Sequence, residues 1–279
     1  MNNKTTAASF VNIGQHRLHY IDKGSGETIL FVHGIPESSL MYEGMVQELS
    51  GNYRCIVPDH LGFGQSDKSV EAALTPEAHS QRLLDLINKL ELRDIHLVVH
   101  DFGGPIGIGA LVARPELFKS LTITNTWLWS LKGTPAEKGL KMMNGIIGRW
   151  LYLKMGFSVK FMAKNGFADK QVFKEHYDAF MKYYQTKEDR WANYQLMLSM
   201  LGSSDYYDET LKKLHKLHIP AQIIWGAKDK FFNPDYLNRW IKEFPTFNVK
   251  TLEQAGHFPH LEAKTEVAAA IKTFVDKQR

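Results

Sequence analysis

The sequence has one cysteine, Cys55, among 279 residues, which excludes an intramolecular disulfide and any cysteine-rich metal site. Cys55 lies in the apolar run RCIVPD, so a buried, inert thiol is expected. No apolar run approaches the roughly 20 residues that span a bilayer, and the opening MNNKTTAASF lacks the apolar core of a signal peptide. A soluble, cytoplasmic protein with no membrane contact is the expectation. Excess charge is small. The formal net charge is +4, and the stretch Lys132 to Lys212 holds 13 basic and 9 acidic residues. These charges read as interspersed over an ordinary solvated surface, so no nucleic-acid partner is expected. There is no glycine-rich loop of the kind that cradles phosphate, and no metal, nucleotide or flavin cofactor is expected.

What is present suffices for one large core, since 44% of residues are hydrophobic. Short apolar runs, ETILFVHG (27–34), YRCIVPDH (53–60), DIHLVVHD (94–101), KSLTITNT (119–126) and PAQIIWGA (220–227), read as buried strands. FNVKTLE (247–253) reads as the last strand. Helical patterns lie between them, the clearest at 75–92, with Thr75 as N-cap, Pro76 in the first turn, and Leu83, Leu86, Ile87 and Leu90 on one face. This alternation predicts a mainly parallel sheet covered on both sides. Between residues 130 and 219 the strand rhythm stops. That segment reads as helical and is rich in Met and aromatic residues, which fits a lid over an apolar pocket as well as a helical subdomain with its own core.

The segment LVVHDFGGPIGIG (97–109) ends an apolar strand on Asp101 and turns at once through Gly103 and Gly104. A strand, a sharp turn on a polar residue and a helix of small residues describe a nucleophile elbow, here with an aspartate at its apex. The alternative is an aspartate that caps the helix. Three other segments favour the elbow. FVHGIPESS (31–39) offers the backbone N–H of Ile35, which with that of Phe102 can form an oxyanion hole. WGAKDKFF (225–232) puts Asp229 beyond a strand, and EQAGHFPH (253–260) puts His257 beyond the last one. Asp101, Asp229 and His257 thus follow the chain order nucleophile, acid, histidine. His33, His100 and His260 read as structural. No serine stands at the elbow, and Ser66 and Ser80 lie outside any comparable turn.

On HGIPES, DHLGFGQSDK, HDFGGPIG, NTWLW, WGAKD and GHFPHLE, the chain resembles the α/β-hydrolase fold. The closest likeness is to its aspartate-nucleophile branch of haloalkane dehalogenases and epoxide hydrolases. The resemblance implies a mostly parallel eight-stranded sheet flanked by helices, with a core of residues 1–130 and 214–279 and an inserted helical cap of 131–213. It implies a hydrolase that forms an ester on Asp101, hydrolysed by water that His257 activates and Asp229 orients. A small apolar molecule is the implied substrate, and a monomer or homodimer the implied assembly.

For carbon–halide hydrolysis the resemblance calls for a Trp after the nucleophile and a second donor such as Asn. Phe102 and Ile35 stand at those positions, which leaves Trp127 and Trp129 as candidate donors. For epoxide opening it calls for two cap tyrosines, with Tyr152 and Tyr194 as candidates. A third reading keeps the scaffold as a ligand-binding protein without turnover.

Overall fold

A computed structural model describes residues 9–279, save the side chain of Met162. Eight strands form one sheet in the order β1-β2-β4-β3-β5-β6-β7-β8. They are β1 (Ser9–Ile13), β2 (His16–Lys23), β3 (Thr28–Val32), β4 (Arg54–Pro58), β5 (Ile95–His100), β6 (Phe118–Thr124), β7 (Ala221–Gly226) and β8 (Asn248–Leu252). Pairing is parallel from β4 through β8, while β1 with β2 and β2 with β4 are antiparallel. Every residue of β3, β5 and β7 is buried, which explains why these strands read as unbroken apolar runs. Burial of a side chain such as Leu97 or Val99 contributes about 1.5–3 kcal/mol, so the central strands are rigid supports for whatever follows their C-terminal ends.

The antiparallel strands β1 and β2 fall outside the runs read as strands, because half-exposed chain with several polar residues carries little periodic signal. Helix α1 (Glu43–Leu49) precedes β4. Helix α2 (Pro76–Lys89) matches the expected 75–92 segment, and Thr75 Oγ1 accepts the Ala78 N–H at 3.3 Å. Leu83, Leu86 and Ile87 are buried as expected, and Leu90 just past the helix is partly buried. Helix α3 (Gly103–Ala113) follows β5, and nine of its eleven residues are buried. Cys55 is fully buried in β4, and burial pushes its thiol up to about 12.

Between β6 and β7 the chain is helical, beginning with α4 (Pro135–Met143) and α5 (Ile146–Met155) and ending with the helix Ser204–Leu214. That last helix leans on the body of the molecule, its Tyr206 hydroxyl donating to the Pro105 carbonyl at 2.9 Å. No helix among the described residues is long and apolar enough to cross a membrane.

Candidate active site

Asp101 follows β5 directly and has a φ of +49°, a left-handed conformation that costs a non-glycine residue free energy and recurs at functional turns. Neighbouring elements hold it there. The Asp101 N–H donates to the Asn125 carbonyl at 3.1 Å, and the Thr126 hydroxyl donates to the Asp101 carbonyl. Two glycines make room for the turn. A methyl group at Gly103 would meet the Val32 carbonyl, and one at Gly34 would meet the Asp101 side chain itself.

The carboxylate of Asp101 does not cap α3. Its Oδ1 accepts the Ile35 N–H across 66 residues at 2.8 Å. The capping role weighed from the sequence is therefore not the one this side chain plays. Phe102 flanks the N-terminus of α3, where the helix dipole favours negative charge. Of the expected pair, the Ile35 N–H contacts the Asp101 carboxylate, and Phe102 is the next residue in the chain.

His257 lies between two carboxylates. Its Nδ1 is 2.8 Å from Asp229 Oδ2 and its Nε2 is 3.5 Å from Asp101 Oδ2. All three residues are buried. Burial works to lower the imidazole's pKa, but the charges of Asp229 and Asp101 outweigh it and raise it to about 10. Burial likewise works to raise Asp229, and His257 together with the donors around it holds it below the ordinary carboxylate range. Those donors are the Phe231 and Phe232 N–H groups, at 2.7 and 3.0 Å, and Asn125 Nδ2 at 2.8 Å. Asn125 is a residue that sequence reasoning missed. It also accepts the Gly226 N–H at 2.9 Å, and the signal that would have found it is a polar residue just beyond the strand beside β7.

The histidines read as structural hold the site together. His100 Nδ1 is 2.7 Å from Glu37 Oε2, and its Nε2 donates to the His257 carbonyl at 2.7 Å. Glu37 Oε2 also accepts the Gly34 N–H at 3.1 Å, and its Oε1 lies 2.7 Å from His260 Nε2. Burial would raise the Glu37 carboxyl, yet His100 and His260 hold it well below its usual range. His33 Nδ1 donates to the Gly34 carbonyl at 2.8 Å. Glu37, His100 and His260 are close enough to share a metal ion. Both His100 nitrogens are already engaged, so the trio fits a hydrogen-bonded brace better than a ligand set.

The helical segment is hydrogen-bonded to this apparatus through residues 166–169. The His257 N–H donates to the Gly166 carbonyl at 2.8 Å, and the Glu262 carboxylate accepts the N–H groups of Ala168, Asp169 and Gly256 at 2.7–2.8 Å.

Above Asp101 lies a mainly apolar cavity of about 430 Å³, a size suited to a small organic ligand. Phe102, Met143, Met197, Phe232 and His257 are among its walls, and Ser158, Tyr236 and Lys230 bring polar groups to it. The four leaving-group candidates are not among its lining residues. Trp127 packs edge-on against Phe102, with ring centroids 4.8 Å apart, and Trp129 packs against Trp240 and Tyr236. The Tyr152 hydroxyl donates to Asn193 Oδ1, and that of Tyr194 to the Met143 carbonyl at 3.3 Å. Both tyrosine hydroxyls are thus engaged by neighbouring acceptors, whereas the buried Trp127 indole N–H has no hydrogen-bond partner among the described residues.

The model of the alpha/beta hydrolase fold matches residues 27–264. The chain is 30% identical, over 95% of its length and 87% of the relative's, to a cis-3-alkyl-4-alkyloxetan-2-one decarboxylase of Shewanella oneidensis. It is 27% identical to haloalkane dehalogenase 2 of Mycobacterium tuberculosis, over 91% of its own length and 90% of the relative's. The structure of haloalkane dehalogenase DbeA from Bradyrhizobium elkani superposes with a TM-score of 0.84 at 20% identity, covering 97% of this chain and 99% of that one. The family model spans well over half of the sequence, and the chain belongs to the alpha/beta hydrolase family.

Proposed function

We propose that the protein is a hydrolase that displaces a leaving group from a saturated carbon of a small apolar substrate through an ester on Asp101. One observation carries this reading. The Asp101 carboxylate projects at an apolar cavity, fixed by the Ile35 N–H at 2.8 Å and faced by His257 Nε2 at 3.5 Å. A carboxylate is ionised without help, so it attacks carbon directly, and the bond to the leaving group breaks as the ester bond forms.

Ester formation removes the charge on Asp101, one of the two that hold the proton on His257. The imidazole then moves towards its ordinary range and sheds that proton, to solvent alongside a departing halide or to the oxygen of an opening ring. As a neutral base it takes a proton from water, whose oxygen attacks the ester carbonyl. The Ile35 and Phe102 N–H groups stabilise the oxyanion. Collapse releases an alcohol and restores the carboxylate, with one proton of the water on the alcohol and the other on His257.

Two leaving groups fit. Halide is supported by the likeness to haloalkane dehalogenase 2. An oxygen of a strained ring is supported by the presence of Tyr236 among the cavity walls and by the likeness to the oxetanone decarboxylase. In that case the proton shed by His257 neutralises the alkoxide as the ring opens.

The test is a His257→Phe variant, incubated with bromoalkanes and with epoxides and weighed intact. Without the base the ester accumulates. A gain of an alkyl group less one hydrogen assigns halide displacement, and a gain of a whole epoxide assigns ring opening. A folded variant that takes up neither, together with a wild type stabilised by the same compounds but not turning them over, would point to a ligand-binding protein instead.

A further inference from the structure

The apolar cavity opens beneath a surface that a water-facing enzyme has no use for. None of the nine residues of α4 is buried. Met142 is 72% exposed, and it also lines the cavity above Asp101. Just past it, Ile146 is 90%, Ile147 76% and Trp150 53% exposed. Ile146 and Trp150 lie one turn apart on α5 and share a face. Isolated exposed apolar residues are ordinary, but contiguous ones mark a contact surface.

Beyond Glu137, the stretch of chain that includes this face carries charge of one sign. No acidic residue occurs between Glu137 and Asp169, while Lys138, Lys141, Arg149, Lys154, Lys160 and Lys164 all fall there and are exposed. Only Lys141 is paired with a carboxylate, that of Glu137 at 2.8 Å. Protein–protein interfaces are depleted in lysine. Helices that lie in a membrane surface instead combine exposed Ile and Trp with Lys and Arg, because the apolar side chains enter the headgroup boundary and the cations meet anionic lipid. Trp150 in a stretch with these six basic residues has the composition of such a surface.

We infer that the face formed by α4 and α5 docks on anionic lipid bilayers, and that the cavity beneath Met142 receives its apolar substrate from the bilayer. This contact is peripheral and needs no spanning segment. It therefore replaces the expectation of no membrane partner, which rested on the lack of long apolar runs. It does not depend on the leaving group or on turnover.

Co-sedimentation of the full chain with vesicles tests it. Wild type is expected to sediment with phosphatidylcholine vesicles containing phosphatidylglycerol at low salt. It should bind pure phosphatidylcholine vesicles far more weakly and lose much of the anionic binding at high salt. Ile146→Glu with Ile147→Glu should weaken binding at least about tenfold, and Lys138→Glu with Lys154→Glu by a similar factor. These positions are exposed, so both variants should keep the wild-type Tm. Absence of sedimentation at low salt would overturn the inference. So would equal binding by the isoleucine variant, or a wild-type dimer that the isoleucine variant splits while vesicles bind neither, which would give the face to a second copy of the chain.

Discussion

Asn125 Nδ2 donates to Asp229 Oδ2 at 2.8 Å, the same oxygen that His257 Nδ1 approaches. Asn125 follows β6 and Asp229 follows β7, so the acid's loop is cross-linked to its neighbour in the sheet. The residue at the end of β6 is therefore placed to carry the carboxylate itself. Asp229→Asn should lower turnover by roughly 10³–10⁴-fold, as loss of an orienting acid does. Adding Asn125→Asp to that variant should recover at least about tenfold of the loss. Single-turnover rates of ester hydrolysis measure this, and a double variant no faster than Asp229→Asn alone would contradict it.

The proton on His257 links activity to stability. Its pKa stands near 10 in the fold against an ordinary 6.5, because Asp229 and Asp101 outweigh the effect of burial. The folded state thus binds the proton more tightly than the unfolded chain. The resulting stabilisation is complete below about pH 6.5 and is lost as pH rises towards about 10. Urea denaturation across that interval should show wild type losing stability, and His257→Phe losing less. Asp101→Asn, which removes one of the two charges, should shift the His257 titration downward when followed by NMR.

Gly34 lies where any side chain would strike Asp101. Gly34→Ala should leave the protein folded but displace the carboxylate or the Ile35 N–H. A misplacement near 1 Å costs on the order of 10²-fold in rate, so kcat should fall by about that factor with a smaller change in Tm. A kcat within a few-fold of wild type would show that the turn relaxes around the methyl group.

Glu37 is buried and braces Gly34, His100 and His260 at once. Glu37→Ala leaves the Gly34 N–H and His100 without their acceptor and His260 without the carboxylate it faces, and breaking such a buried pair costs about 3–5 kcal/mol. Chemical denaturation should show a loss in that range, with activity falling as well, since His100 also carries the His257 carbonyl.

Tyr152→Phe and Tyr194→Phe should do little. Each hydroxyl serves a hydrogen bond to a neighbouring acceptor, worth about 0.5–1.5 kcal/mol. Turnover within about threefold of wild type is expected. A loss of 10²-fold or more in either would return that tyrosine to the role of acid.

Asp101, Asp229 and His257 were legible because each stands just beyond a strand and beside a turn residue, and strand ends in a parallel sheet converge in space. The indoles and tyrosines were not. Spacing gives a residue's place along the chain, whereas the direction of a side chain depends on what packs against it, as Phe102 does against Trp127. Strands β1 and β2 escaped notice because they are half-exposed at an edge. The basic stretch after Glu137 was diluted when counted with residues up to Lys212, which restore the acidic residues that the stretch itself lacks.

The attachment of residues 166–169 to the histidine loop has a consequence for how the enclosure opens. Gly166 holds the His257 N–H, and Glu262 clips Ala168 and Asp169 to the backbone beside it. That end cannot swing away without breaking these bonds and disturbing the base. The other end, around α4, is held more lightly: none of its residues is buried, and the Tyr194 hydroxyl holds it through the Met143 carbonyl. Parting residues 166–169 from the histidine loop would therefore break several hydrogen bonds at once, whereas parting Met143 from Tyr194 would break one and leave the surroundings of His257 as they are.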